Sequence, residues 1–375
     1  MCATPPVSRD ALTHHLAVPA LYVEHGGIYE IPDIEFSYYP ELLDIIYCIP
    51  LMFKNDILPK YIHFLFALLT ALLLFCYIKN RLDSFWAILT VIFFISLPVI
   101  IKLSATVYVD LGLIFFSFAS LLSLLKWRRD NFQLKWLTAA ALFCGLALST
   151  KYNGMITLFL LTAFVPFIYL KQENRVLHHQ IKAIFYGLLF LTVSLAMFSP
   201  WMVKNYIWTQ NPVYPLYDNF FNEPDNDQGN DQIKKITKTR NDKTFAWNHF
   251  LVRKYVYNET WWETALIPVR IFFQGKDDNP KYFDGKLNPL LFFLPFFAFI
   301  GQTSKNSAEE KFEKKVFLAF SFLYIQTVFF QTDMRIRWIG PAVPPLIILS
   351  CFGFKNICNM TNQRKTVTIF VLSVF

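Results

Sequence analysis

The sequence predicts an all-α polytopic membrane protein: a bundle of transmembrane helices with extracytoplasmic loops and interfacial helices. Three observations lead there. Hydrophobic residues make up 55% of the 375-residue chain and only 17% are charged, against about 25% in a soluble domain. Several apolar runs reach the roughly 17 to 25 residues that cross a bilayer. Lys and Arg gather in short loops between these runs, as the positive-inside rule requires. Run length excludes a large soluble α protein. The loop placement of the basic residues excludes a nucleic-acid partner, despite a net charge of +8.

The first apolar run, 57–78 (ILPKYIHFLFALLTALLLFCYI), stops at Lys79 and Arg81. Runs at 84–101, 107–125, 134–150, 154–170 and 183–199 follow, ending at KLSATVYVD, KWRRD, STKYNG, LKQENR and SPWMVKN. After a long polar stretch come runs at 288–301, 316–331 and 338–354, and a partial one opens near Thr366. Alternation across a bilayer sets loops 79–83, 126–133, 171–182, 302–315 and 355–365 on one face, with 15 Lys and Arg among them. The opposite short loops hold Lys102, Lys151, Arg335 and Arg337. The richer face is therefore cytoplasmic.

Four regions result: 1–56, a first extracytoplasmic loop with an interfacial helix; 57–200, transmembrane helices; 201–287, a long extracytoplasmic loop; and 288–375, transmembrane helices, the last one truncated. PELLDIIYCIPLMF (40–53) is too short to cross and is expected to lie at the interface. Residues 218–244 are polar and poor in aliphatics, so a mobile segment is expected. Residues 245–273 are aromatic and basic, and Trp247, Trp261 and Trp262 suit a helix at headgroup level. The chain opens without a basic and apolar leader. A span before Met1 is expected to carry the first loop outside.

Costly polar residues converge on the outer face. Asp10, Lys102, Asp110, Lys151, Lys204, Arg335 and Arg337 all fall there. Asp10, in SRDALTHHL, is placed to act as a general base toward a hydroxyl; read alone, it also fits a helix N-cap. Asp110 stands at the end of a span, where an ionisable group is a functional signal by default; the plain alternative is an interfacial pair with Lys102. Lys151, Lys204, Arg335 and Arg337 run against the positive-inside bias. A phosphate accounts for them as a group, and snorkelling for any one of them. His14 and His15 point different ways on a helix and match no zinc signature, so a structural or substrate-contacting role is expected.

Other chemistry is missing. There is no Walker A loop, GxGxxG, HExxH or GxSxG, so energy must come from the substrate or an ion gradient. No cofactor is certain, and a divalent metal stays open. Cys2, Cys48, Cys76, Cys144, Cys351 and Cys358 are scattered without CxxC spacing and read as small buried hydrophobes.

Six segments together carry a resemblance: DALTHHLAVPALYVEHGGIYEIP (10–32), ATVYVDLGLIFF (105–116), GLALSTKYNG (145–154), PWMVKNYIWTQNPVYPLY (200–217), FDGKLNPLLFFLP (283–295) and RIRWIGPAVPPLIIL (335–349). They resemble the GT-C superfamily of membrane glycosyltransferases, in its family 39 or RgtA/B/C/D-like branch, which includes protein O-mannosyltransferases and the lipid A aminoarabinose transferase. The resemblance implies a GT-C helix bundle in the plasma membrane. It implies inverting transfer of a sugar from a polyprenyl-phosphate carrier to a protein, lipid or glycan acceptor on the extracytoplasmic face. It makes Asp10 the base and Asp110 a second acidic position. Lys151, Lys204, Arg335 and Arg337, with His14 and His15, would contact lipid phosphate or substrate. It also implies a first transmembrane helix before Met1 and a longer C-terminal part. The alternative classes are a lipid-linked sugar transporter or flippase, and an inactive remnant of the family. A transporter predicts charges near mid-membrane, whereas these lie at span ends.

Overall fold

A computed structural model describes residues 4–172, 177–222, 248–300 and 308–361. Among these residues there are helices and turns and no strand. Asp10 leads into a π-helical turn, Ala11–His15, closed by the Leu16 N–H on the Ala11 carbonyl at 2.9 Å. Helix α1 (Ala17–His25) ends at Gly26, whose φ of +81° supplies the left-handed stop. Helix α2 (Leu42–Met52) covers the short apolar stretch expected at the interface and buries Leu43 and Tyr47 against Val107, Val109 and Leu113.

The bundle starts at α3 (Leu58–Arg81), with Pro59 in its first turn, where a missing N–H is harmless. Asp83 caps α4 (Ser84–Ser96) by accepting from the Trp86 N–H at 3.1 Å. Leu97 is extended ahead of Pro98, as the proline ring demands, and α5 (Pro98–Ser104) leaves at 69°. The apolar run at 84–101 is therefore broken, not a single straight span. Then come α6 (Asp110–Arg129), α7 (Leu134–Thr150), α8 (Gly154–Gln172) and α9 (Leu177–Thr209). Beyond the long loop lie α10 (Leu290–Phe297), α11 (Ala308–Gln331), a 3-10 segment Ile336–Ala342 and α12 (Val343–Thr361).

Among the described residues, five helical stretches are long and apolar enough to cross a membrane, six with the bent pair counted as one. The chain is a multi-pass membrane protein. Helix α6 and the stretch Ile336–Met360 are buried over most of their surface, whereas α3 and α9 leave most of theirs exposed as lipid-facing helices do. Helix α9 has 33 residues, so at 1.5 Å per residue it is about 50 Å long, well beyond the roughly 30 Å hydrocarbon core. Its last turns, with Lys204 and Asn205, overhang the apolar run.

The run at 288–301 is helical only over Leu290–Phe297, too short to cross as a helix. Its ends are nevertheless far apart. The Ile336 N–H donates to the Phe283 carbonyl at 2.9 Å, and Asn356 Nδ2 donates to the carbonyls of Phe297 (2.9 Å) and Ile300 (3.0 Å). The segment thus runs alongside α12 from the Ile336 level to the Asn356 level. Residues 248–273 are not one interfacial helix either: they break into Asn248–Leu251, a π turn Val252–Val256, Trp261–Ala265 and Ile267–Arg270. Trp247, residues 223–244 of the polar stretch and the run near Thr366 lie outside the described residues.

Helices in hydrocarbon associate by close packing and polar ties, since lipid tails are as apolar as Leu. Ser120 Oγ donates to the Ala140 carbonyl (2.7 Å), Ser194 Oγ to the Ala141 carbonyl (3.0 Å), and Ser117 shares a bond with Thr157 (2.9 Å). These join α7 to α6 and α9, and α6 to α8. Gly145 lets α7 approach α9, for a Cβ there would stand 2.6 Å from the Ser194 carbonyl oxygen. At Gly353 in α12 a Cβ would collide with the Leu294 carbonyl oxygen of α10.

Gly353→Ala is expected to destabilise the bundle by about 1–3 kcal/mol, the usual range for an overpacked contact. Its thermal midpoint in detergent falls below that of Gly27→Ala, where an added Cβ meets nothing within 4 Å. Equal midpoints would contradict the close α10–α12 approach.

Candidate active site

Four charged residues from four separate stretches meet at the end of the bundle where α6 begins. Asp110 is the first residue of α6 and is 1% exposed. Its Oδ1 accepts from Lys151 Nζ at 2.8 Å, and its Oδ2 is buried without a hydrogen-bond partner. Lys151 is extended backbone just past α7. Arg337, in the 3-10 segment, donates through Nη1 to Asp10 Oδ2 at 2.6 Å and lies 5.2 Å over the Tyr108 ring. Two carboxylates and two cations cancel in charge.

Two sequence expectations are corrected. Asp10 makes no side-chain N-cap bond; its carboxylate goes to Arg337. Asp110 does not pair with Lys102, because Lys102 Nζ instead lies 3.3–3.4 Å from Asp277, Asp278 and Asp284.

His63 of α3, which the sequence reading did not single out, fixes the start of α6. It is fully buried. Its Nδ1 donates to the carbonyls of Leu103 and Thr106, each at 3.0 Å. Its Nε2 accepts from the Leu111 N–H at 2.9 Å. An ionisable side chain inside an apolar run was the available signal. Tyr47 adds a bond of 2.6 Å to the Tyr108 carbonyl, holding the approach to Asp110.

The π turn places both histidines near Asp10. His15 Nδ1 donates to Asp44 Oδ1 at 2.8 Å. His14 stacks on Phe36 at 4.1 Å and 17° and bonds Thr13. Burial, reinforced by His15, pushes the His14 imidazole down to about 3, so it is uncharged at neutral pH. Burial alone would raise the Asp10 carboxyl, but the charge and hydrogen bond of Arg337 outweigh it and hold it below the usual carboxylate range. Burial lowers the Lys151 ammonium even with Asp110 opposing it.

Lys204 has other partners. Its Nζ donates to the Ser37 carbonyl (2.7 Å) and Glu41 Oε2 (2.8 Å), with Trp201 and Trp208 at 5.2 and 5.1 Å. Burial drives the Glu41 carboxyl up to about 8, against the pull of Lys204, and Tyr22 donates to it at 3.3 Å. This cluster fastens the α9 overhang to the first loop. Arg335 lies 3.9 Å from Asp284 and over the Trp338 ring. A cavity of about 30 Å³ is lined in part by Lys102, Tyr108, Asp284 and Arg337. A further anchor escaped the sequence reading: buried Arg253 donates to the Lys281 carbonyl (2.7 Å) and approaches Glu259 and Asp333. Among the described residues, no three His, Cys, Asp or Glu side chains are grouped to hold a metal ion.

The chain has a helical-bundle fold like that of the GT-C glycosyltransferases. The sequence model of the family described as dolichyl-phosphate-mannose-protein mannosyltransferase matches residues 54–207, from the entry to α3 through nearly all of α9. The structure is similar to ArnT from Cupriavidus metallidurans in the apo state: TM-score 0.60, 13% identity, covering 98% of this chain and 59% of that one. It is also similar to the same protein bound to undecaprenyl phosphate: TM-score 0.56, 15% identity, covering 95% of this chain and 59% of that one. The chain thus spans 59% of the length of these ArnT chains. No protein of curated function matches the sequence.

Lys151→Met strips Asp110 of its cation and is expected to cost about 3–5 kcal/mol, the usual penalty for orphaning a buried charge. Adding Asp110→Asn removes the orphan and should recover much of that loss. Thermal unfolding in detergent of the single and double variants checks this; a double variant no better than the single one would contradict it.

Proposed function

We propose that the chain is an inverting glycosyltransferase. It moves a sugar from a polyprenyl-phosphate carrier to a hydroxyl on a protein, lipid or glycan, at the extracytoplasmic face of the plasma membrane. The observation that carries this reading is the meeting of two ion pairs, Asp10–Arg337 and Asp110–Lys151, around the buried Asp110 carboxylate. It offers two cations to an anionic leaving group and a carboxylate to a hydroxyl. In this reading the described parts of 1–56 and 201–287 form the outer surface around it, and those of 57–200 and 288–375 carry transmembrane helices.

The chemistry follows from the charges. A lipid phosphate leaves readily, so positive charge that meets it as it departs matters more than a strong acid. Arg337 and Lys151 take that role. Asp10 aligns the acceptor hydroxyl on the opposite face of the sugar, giving inversion by direct displacement. Arg335 and His14 contact substrate, and Lys204 holds the first loop in place through Glu41. The prenyl tail lies against the hydrocarbon face, gaining about 0.8 kcal/mol per buried CH₂.

Transfer from a radiolabelled polyprenyl-phosphate sugar, in membranes carrying the protein, tests this. Asp10→Asn is expected to lower transfer by about 10²-fold, as lost positioning does, at equal expression, and Arg337→Gln to lower it as well. Undiminished transfer by Asp10→Asn would remove that carboxylate from the mechanism.

A further inference from the structure

Resting on the glycosyl-transfer reading, the geometry points to His15, oriented by Asp44, as the group that takes the proton from the acceptor hydroxyl, with Asp10 aligning that hydroxyl. Asp10 is poorly suited to hold a proton. One of its oxygens is engaged by the Arg337 guanidinium at 2.6 Å, a charge-assisted bond that favours the ionised carboxylate. Any base there competes with that bond.

His15 has the opposite arrangement. A carboxylate oxygen accepts, so its 2.8 Å contact with His15 Nδ1 makes Nδ1 the donor and leaves the Nε2 lone pair as the ring's proton acceptor. A carboxylate that fixes an imidazole tautomer and steadies the imidazolium is the standard way to build a histidine base. The π turn brings the two residues together. In a turn closed between residues five apart, side chains four and five positions on return to the same side, so both histidines come back toward Asp10. His14 is diverted by its stack on Phe36. His15, 7% exposed, stays inside.

The surroundings suit a transient positive charge. Asp10 and His14 face His15 from its own turn, and Asp44 from α2. His63 of α3 and Tyr108 also face it, and Arg337 lies beyond, over the Tyr108 ring. Two carboxylates there balance the Arg337 cation and a new imidazolium. In the step, the acceptor oxygen bonds to the anomeric carbon as the bond from that carbon to the phosphate oxygen breaks. The electron pair leaves with the polyprenyl phosphate, and the hydroxyl proton passes to His15 Nε2. Water takes it from the imidazolium before the next turnover.

The test measures kcat and KM for transfer in membranes carrying wild type, His15→Ala, His15→Gln and Asp44→Asn, with and without added imidazole. Both His15 variants are expected to lose about 10²–10⁴-fold in kcat with KM changed little. Imidazole should restore part of the His15→Ala activity, and Asp44→Asn should lower kcat by a smaller factor. A His15→Gln enzyme within a few-fold of wild-type kcat, or a loss confined to KM, overturns the assignment and leaves the transferase reading standing. A wild type that transfers no sugar from any polyprenyl-phosphate donor overturns both.

Discussion

Arg337 is the charge around which the end of the bundle where α6 begins is arranged. It stands at the start of the most buried crossing stretch and bonds Asp10 from a loop more than three hundred residues earlier. A guanidinium held this deep is tolerable only when its charge is met. Asp10 meets it directly, and Asp110 meets it at longer range. Asp110 in turn needs Lys151, because its remaining oxygen is buried without a hydrogen-bond partner. The four charges are therefore one electrostatic unit, and the elements that carry them are fixed relative to one another by that need.

The frame beneath this unit is built from neutral bonds. His63 caps the first turn of α6 through Leu111 and ties down the Leu103 and Thr106 carbonyls left by the end of α5. The bend at Leu97 matters for the same reason. Had α4 continued straight, the Lys102 stretch would not fold back across the bundle end to meet the acidic loop at 277–284. Pro98 thus decides which loop closes that end of the bundle.

The membrane character was legible in the sequence, because run length is a local signal. Asp10, Asp110, Lys151 and Arg337 could be picked out for being costly at their positions. Their pairing could not: Asp110 has Lys102 eight residues away, yet bonds Lys151 on another helix. Glu41 and Asp44 were hidden in PELLD, where they look like the polar edge of an interfacial helix; only the fold shows them reaching Lys204 and His15. The 288–301 run is rich in apolar residues, yet its helix covers only eight of them, with Pro289 at its start and Pro295 inside it.

The π turn explains why the site sits where it does. An α-helical continuation from Asp10 into α1 would place residues three and four apart on one face, turning His15 away from Asp10 toward a neighbouring ridge. Closing the turn over five residues instead returns His15 to the charged cluster and lets Asp44 reach it from α2. The same widening gives up regular helical bonding at the point where the chain enters the site, and α1 then begins anew at Ala17. Here Arg337 grips one end and Asp44 the other, so the ion pair and the histidine–carboxylate bond hold the turn in the shape that makes both of them possible.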